Sequence, residues 1–377
     1  MPGPRTPTML PRMLTRLTIA GYRSVRNLPI ALTPMTVFVG ANGTGKTNLY
    51  RALRLLAEAA GGRLSRALAE EGGLKSALSA SEAATQCTTM QLGCTVDGWS
   101  YDVEIGLPPT GENTAFRLDP YVRSERLGTR MNGREVLFLE RSGQHARLRD
   151  QDGRISEYGG DLLHGETALG QIRDPQHFPE FAALRHRLLG WRFYHQFRTD
   201  AGSPLRRPQI GVFTPVLAHD GSDLAAAIQS IHEHGLAVGG LRLEAWLERA
   251  LPGTEVVVDC DERAQFELAL QLPRIARPLR AAELSDGQLR LLCLLAALTS
   301  PRPSELLVLN EPEANLHPDV LPVLGELIVA ASRHSQIVVT THDQALAQTL
   351  AAGTGHEAIE LELRKGETRI VGRGRYE

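Results

Sequence analysis

The chain has 377 residues, 42% of them hydrophobic, with 41 Lys and Arg against 43 Asp and Glu for a net charge of −2. This is globular composition, which excludes a disordered or fibrous chain, and its balanced charge leaves nucleic acid only a local basic patch to bind. No apolar run approaches the ~20 residues that span a bilayer, so no membrane partner is expected, and Cys87, Cys94, Cys260 and Cys293 show neither CxxC pairing nor zinc-ligand spacing, which makes a reducing cytoplasm the expected location.

Residues 1–13, MPGPRTPTMLPRM, are Pro-rich, lack the apolar segment of a secretory signal and read as a flexible tail. LTRLTIAGYRSV then alternates as a strand, and residues 36–40, TVFVG, form a second that runs into GANGTGKTN. Behind that glycine-rich stretch, Leu49, Leu53, Leu56 and Ala60 recur at helical spacing. From about residue 86 to 158, short alternating segments separated by DG, NG and SG turns predict an antiparallel meander of five or so strands. Helical periodicity returns in FPEFAALRHRLLGW and over residues 223–251, followed by strands TEVVVDC and QFELALQL and an apolar helix after LSDGQ. The end alternates strand LLVLN, a helix over 318–332, strand QIVVTT and helix DQALAQTLAA, the order of a parallel sheet, before a closing hairpin. The expected divisions are 14–160 for an N-terminal lobe with the phosphate loop and meander, 161–283 for a connecting and lid region, and 284–377 for a C-terminal lobe.

Residues 40–47, GANGTGKT, satisfy GxxxxGK[ST], with Gly40, Gly45, Lys46 and Thr47 at the required places. Gly40, Gly43 and Gly45 allow the backbone to curl, so that N–H groups along Asn42, Gly43, Thr44, Gly45 and Asn48 turn toward phosphate oxygens. The following helix adds its positive end. Lys46 supplies a cation to the β- and γ-phosphates and the Thr47 hydroxyl a ligand for Mg²⁺. ATP and Mg²⁺ are the expected cofactors.

Three distal stretches carry a family resemblance. LLVLNEPEANLHPD, residues 306–319, resembles the Walker B and D-loop run hhhhDEPExxLHP of RecF/SMC-like and OLD-like ATPases. LSDGQ, residues 284–288, resembles the ABC signature LSGGQ, and IVVTTHD, residues 337–343, resembles the switch-histidine strand. The chain is thus similar to the AAA/ABC-type "predicted ATPase" group. The resemblance implies an α/β P-loop NTPase fold of ABC/SMC-head topology, with a central mostly parallel sheet, an antiparallel meander lobe and a helical signature lobe.

It further implies that Glu311 polarises the attacking water, that His342 senses the γ-phosphate, and that Ser285, Gly287 and Gln288 meet ATP held by a second copy. The expected assembly is therefore a head-to-tail, ATP-dependent homodimer sharing two nucleotides, with Asn315, Leu316 and His317 at its interface. Asn310 stands where the family has its metal-side aspartate, which predicts weaker Mg²⁺ binding and slow hydrolysis. The implied role is in DNA repair, recombination or genome maintenance. The alternative is an ATP-switched sensor of an anti-phage system with a separate effector protein, and transport is a weaker third reading, because EANLHP replaces the SALD usual in transport subunits. Gln171, Gln176, Gln196 and Gln209 are equal candidates for a Q-loop. WRFYHQFRTDAGSPLRRPQ, residues 191–209, reads either as a single-strand nucleic-acid surface or as a core strand followed by a basic loop.

Overall fold

The computed structural model describes residues 13–80, 87–109, 115–234 and 240–372; residues 1–12 of the expected tail lie outside them. The chain forms two compact units. The first comprises Met1–Thr33, Arg51–Gly190 and Leu363–Arg369, and the second Pro34–Tyr50, Trp191–Glu362 and Ile370–Glu377. These units differ from the expected divisions at 160 and 283. The phosphate-loop strand, assigned to the meander's lobe on sequence, folds in the second unit because its backbone pairs with parallel strands from the far end of the chain.

The first unit is built on an eight-stranded antiparallel sheet, six strands of which fall in the stretch where five or so were expected. The N-terminal segment read as one strand is a hairpin, Leu14–Tyr22 with Val25–Ala31, and it forms one edge. Next in order come Thr89–Val96, Trp99–Gly106, Tyr121–Met131, Arg134–Ser142, His145–Arg149 and Ile155–Glu157. Alternation is plain in the second of these, where Tyr101, Val103 and Ile105 are buried between more exposed neighbours. Two-residue turns set the register: Asp97 and Gly98 have φ of 51° and 83°, and Asn132 and Gly133 have φ of 51° and 77°, the left-handed pair a tight hairpin requires.

A charge pair sits inside this unit. Arg141 and Glu125 are both fully buried, 3.4 Å apart. Arg141 also donates to the carbonyls of Gly143, Leu163 and Glu166. Glu125 accepts from the Tyr101 hydroxyl and from the N–H groups of Ala168 and Leu169, which open a short helix. Burial pushes the Glu125 carboxyl up, and Arg141 is the largest opposing influence.

The second unit holds the parallel strands of a six-stranded sheet, in the order Arg192–Tyr194, Leu306–Asn310, Gln336–Thr341, Met35–Val39 and Ile359–Arg364, the last belonging to this unit as far as Glu362 and followed in the sheet by Glu367–Ile370. The middle three of these parallel strands are buried throughout, as expected of a sheet covered on both faces. Helices Leu224–Glu233, Leu243–Ala250, Asp286–Leu298, Leu321–Ala331 and Gln344–Thr354 supply the apolar cover. A smaller antiparallel sheet pairs Glu255–Cys260 and Gln209–Ile210 with Gln265–Gln271. Among the described residues, no helix is long and apolar enough to cross a membrane. The architecture is the α/β arrangement expected, with the parallel sheet placed in one unit and the meander in the other.

Replacing Arg141 by Met leaves the buried Glu125 carboxylate with its three hydrogen bonds and without its cation. The expected loss is about 3–5 kcal/mol of unfolding free energy, read by urea denaturation, and Arg141→Met/Glu125→Gln recovers part of it.

Candidate functional site

Parallel register decides which residues meet. Asn310 pairs with Thr340, Thr340 with Phe38 and Thr341 with Val39, so these strands end together. Tyr194 pairs with Leu309 one strand further out. The residues immediately following are Gly40, Glu311, His342 and His195, which therefore line one carboxyl edge, where open α/β sheets bind ligands.

The phosphate loop leaves this edge from Met35–Val39 and enters the helix Lys46–Ala60. Gly43 and Gly45 have φ of 83° and 98°, a conformation closed to side-chain-bearing residues without strain. At Gly40 a Cβ would lie 2.6 Å from the Leu361 carbonyl oxygen and 2.8 Å from the Thr44 hydroxyl, so the loop's first residue must also be glycine. Lys46 is buried, with Nζ donating to the carbonyls of Gly40 and Ala41 at 2.8 and 2.9 Å. Burial lowers its pKa, against the raising fields of Glu311 and then Glu313. Asn42 and Gly43 are exposed on the loop, Thr44 is buried, and Gly45, Thr47 and Asn48 are half-buried.

At the next strand end, Asn310 is fully buried. Its Oδ1 accepts from the Thr340 hydroxyl at 2.7 Å, and its Nδ2 donates to Nδ1 of His195 at 2.7 Å. Each end of the Asn310 amide thus holds one neighbour, which leaves a second lone pair on Oδ1 and a second N–H on Nδ2. Glu311 follows with φ of 50°, rare for a residue with a side chain. Three contacts hold that turn: Glu311 N–H to the Thr340 carbonyl, Ala314 N–H to the Glu311 carbonyl, and Arg290 Nη2 to the same carbonyl at 2.7 Å.

The third strand end brings in a residue to which sequence reasoning gave no role. Glu313 Oε1 accepts from the Thr341 hydroxyl at 2.6 Å and from the His342 backbone N–H at 3.0 Å, and it lies 3.1 Å from His342 Nδ1. Its Oε2 is buried without a hydrogen-bond partner among the described residues. The His342 ring itself is 43% exposed. The glycine-shaped loop and Lys46 fit the phosphates of a nucleotide, and the unpaired buried Glu313 oxygen is an acceptor of the kind a Mg²⁺-bound water would meet.

The signature helix Asp286–Leu298 begins with a capping box: Ser285 Oγ accepts from Gln288 N–H, and Gln288 Oε1 accepts from Ser285 N–H. The exposed Ser285 hydroxyl keeps its proton for another acceptor. Arg206 braces the loop, donating to the carbonyls of Ala281, Ala282 and Leu284 and to the Asp286 carboxylate at 2.8 Å. Five residues past Ser285, the buried Arg290 ties this helix to the carbonyls of His195 and Glu311. At Gly287 a Cβ would lie 2.7 Å from the Asn315 carbonyl oxygen, and Asn315 itself has φ of 61°. Leu316 is half-buried and His317 exposed.

The aromatic and basic segment resolves as core. Trp191, Phe193, Tyr194 and Phe197 are buried, and the Tyr194 hydroxyl donates to the Leu217 carbonyl, so no base can stack on them. Of the four glutamines, Gln171 lies in the first unit with its amide on Leu163, Glu166 and Thr167, whereas Gln196 is exposed directly after His195 at the sheet's carboxyl edge. Gln176 belongs to the first unit and Gln209 to the smaller sheet. Arg290 and Glu313 were given no role on sequence, and Arg206 was read only as part of the aromatic–basic segment; a single Arg in the apolar run LRLLCLLAAL was the available signal for Arg290.

A family model described as "AAA domain, putative AbiEii toxin, Type IV TA system" matches residues 160–347, and one described as "AAA ATPase domain" matches residues 13–95. No curated protein matches the chain. Among solved structures, the chain is similar to an Smc head bound to the C-winged helix domain of ScpA, with TM-score 0.53 and 16% identity over 95% of this chain and 97% of that one. It is similar to the Smc head domain with a coiled coil and joint from Pyrococcus yayanosii, with TM-score 0.52 and 11% identity over 96% and 97%. A third is the Smc head with an extended coiled coil from Pyrococcus furiosus, bound to the C-terminal domain of ScpA, with TM-score 0.50 and 14% identity over 96% of each chain. What is shared at these identities is the fold.

Ala in place of a helical Gly ordinarily stabilises by up to about 1 kcal/mol. Gly287→Ala is expected to do the reverse, costing about 1–3 kcal/mol in thermal or denaturant unfolding, because its methyl group meets the Asn315 carbonyl.

Proposed function

We propose, from the premise that this chain is a P-loop ATPase of the AAA, ABC/SMC-head type, that it binds ATP, hydrolyses it slowly and dimerises head to tail around two nucleotides. The observation that carries this reading is the shared carboxyl edge of Gly40, Glu311 and His342. In this reading the loop N–H groups and the helix start at Lys46 hold the β-phosphate, and Lys46 turns from its own loop carbonyls to the β- and γ-oxygens. Thr47 holds Mg²⁺, which supplies charge neutralisation to the phosphates. Glu311 accepts a hydrogen bond from the attacking water and aligns it with the γ-phosphorus, while His342 reads the γ-phosphate. Gln196 is the Q-loop residue this arrangement favours.

Asn310 supports slow turnover. An amide brings no charge to the metal side, and its two hydrogen bonds must break before it can turn outward. The second copy enters through the exposed Ser285 hydroxyl and the helix start behind it, which offers N–H groups and a positive end to a γ-phosphate. The functional setting that goes with SMC-like heads is genome maintenance. A second reading, an ATP-switched sensor paired with a separate effector protein, is favoured by the match to the model whose description includes a toxin of a toxin–antitoxin system. DNA-stimulated ATPase supports the first, and a tightly co-purifying protein supports the second.

Glu311→Gln is expected to lower phosphate release by about 100-fold or more and to run as a dimer with Mg-ATP on size exclusion with light scattering. Adding Ser285→Arg should return it to a monomer. A wild-type rate equal to that of Glu311→Gln would remove the hydrolytic reading, and a monomer under all conditions would remove the shared site.

A further inference from the structure

The switch histidine does not stand alone at its strand end. Glu313 is nine-tenths buried, and one of its oxygens contacts the Thr341 hydroxyl, the His342 N–H and, at 3.1 Å, the ring nitrogen Nδ1. Thr341 Oγ1 in turn accepts from Asp343 N–H, and Asp343 caps the following helix through Leu346 N–H. A single buried carboxylate thus sets both the backbone turn that carries His342 and the environment of one face of its ring. Nδ1 is turned to Glu313, so Nε2, across the ring, is the nitrogen left to a ligand on the exposed side.

The Glu313 carboxylate also acts on Lys46, after Glu311, and is the strongest field that favours the cation of the buried Arg290. Its contacts are with Thr341 and His342, and its charge acts on Lys46 and Arg290 through the field alone. No other carboxylate on these strand ends contacts His342 among the described residues.

We propose that Glu313 is the positioning residue of the switch histidine, and that by orienting His342 it gives the site its preference for a nucleoside triphosphate over a diphosphate. The inference rests on the ATP-binding reading of the site. It assigns Glu313 no bond-making step: it acts through His342, as a carboxylate behind an imidazole fixes the ring's orientation and the nitrogen it presents.

The test measures affinities for a fluorescent, slowly hydrolysed ATP analogue and for the matching ADP, in the full chain with Mg²⁺. Wild type is expected to favour the triphosphate, and Glu313→Ala to lose about 10- to 100-fold of that preference, read as the ratio of the two affinities. Glu313→Gln retains an acceptor for Thr341 and His342 and should keep most of the preference. His342→Ala should show the same loss, and Glu313→Ala/His342→Ala no more than either alone, because the two act as one unit. Where Glu313→Ala fails to fold, Glu313→Asp withdraws the carboxylate by one methylene and must show the loss instead. Unchanged preference in Glu313→Ala, or in Glu313→Asp where that variant stands in for it, or additive losses in the double variant, overturns the proposal. Wild type that binds neither nucleotide overturns the ATP-binding reading beneath it.

Discussion

Hydrogen-bond register between three parallel strands is the constraint from which the site follows. Pairing Asn310 with Thr340 and Thr341 with Val39 leaves no freedom in what comes next, since each chain must turn just beyond the last rung. A slip of one residue would put every side chain on the opposite face of the sheet and exchange the buried Asn310 for its neighbour. The apolar strands resist such a slip because they are buried on both faces and fill space on each. The sheet's stability and the positions of Gly40, Glu311 and His342 are thus one property.

The charge arrangement at this edge departs from the pattern the sequence resembles, and the departure is locally consistent. An aspartate at 310 would offer His195 Nδ1 an acceptor where the amide Nδ2 offers a donor. The amide thus calls for the His195 tautomer with Nδ1 unprotonated and an aspartate for the other, and the neutrality of Asn310 avoids burying a further carboxylate there. Negative charge returns at Glu313, where Lys46 and Arg290 oppose the cost of burying it. The site keeps two carboxylates, Glu311 and Glu313, three residues beyond the sheet edge or fewer.

Arginines hold the signature segment to that same edge. Arg206 satisfies three carbonyls of the loop before the helix and pairs with Asp286, the residue that replaces a glycine of the resembled motif. Arg290 connects the helix to the carbonyl of Glu311, whose positive φ stores strain in the turn. The helix that begins after Ser285 and the backbone of Glu311 thus share one buried guanidinium.

The amino-acid sequence by itself determined the local pieces: the glycine-rich phosphate loop, the strand LLVLN, the strand QIVVTT, the capping box at Ser285 and the alternating β and α order of the C-terminal third. Each is legible because its cause is local, whether a left-handed φ, a two-residue period or a cap three residues away. Only the tertiary structure decided that the N-terminal hairpin joins the antiparallel sheet, that Met35–Val39 leaves that unit for the parallel sheet, that the aromatics of residues 191–197 are core, and that Glu313 stands behind His342. Those outcomes rest on backbone pairings and contacts between residues up to hundreds of positions apart, whose partners no spacing within a motif can specify.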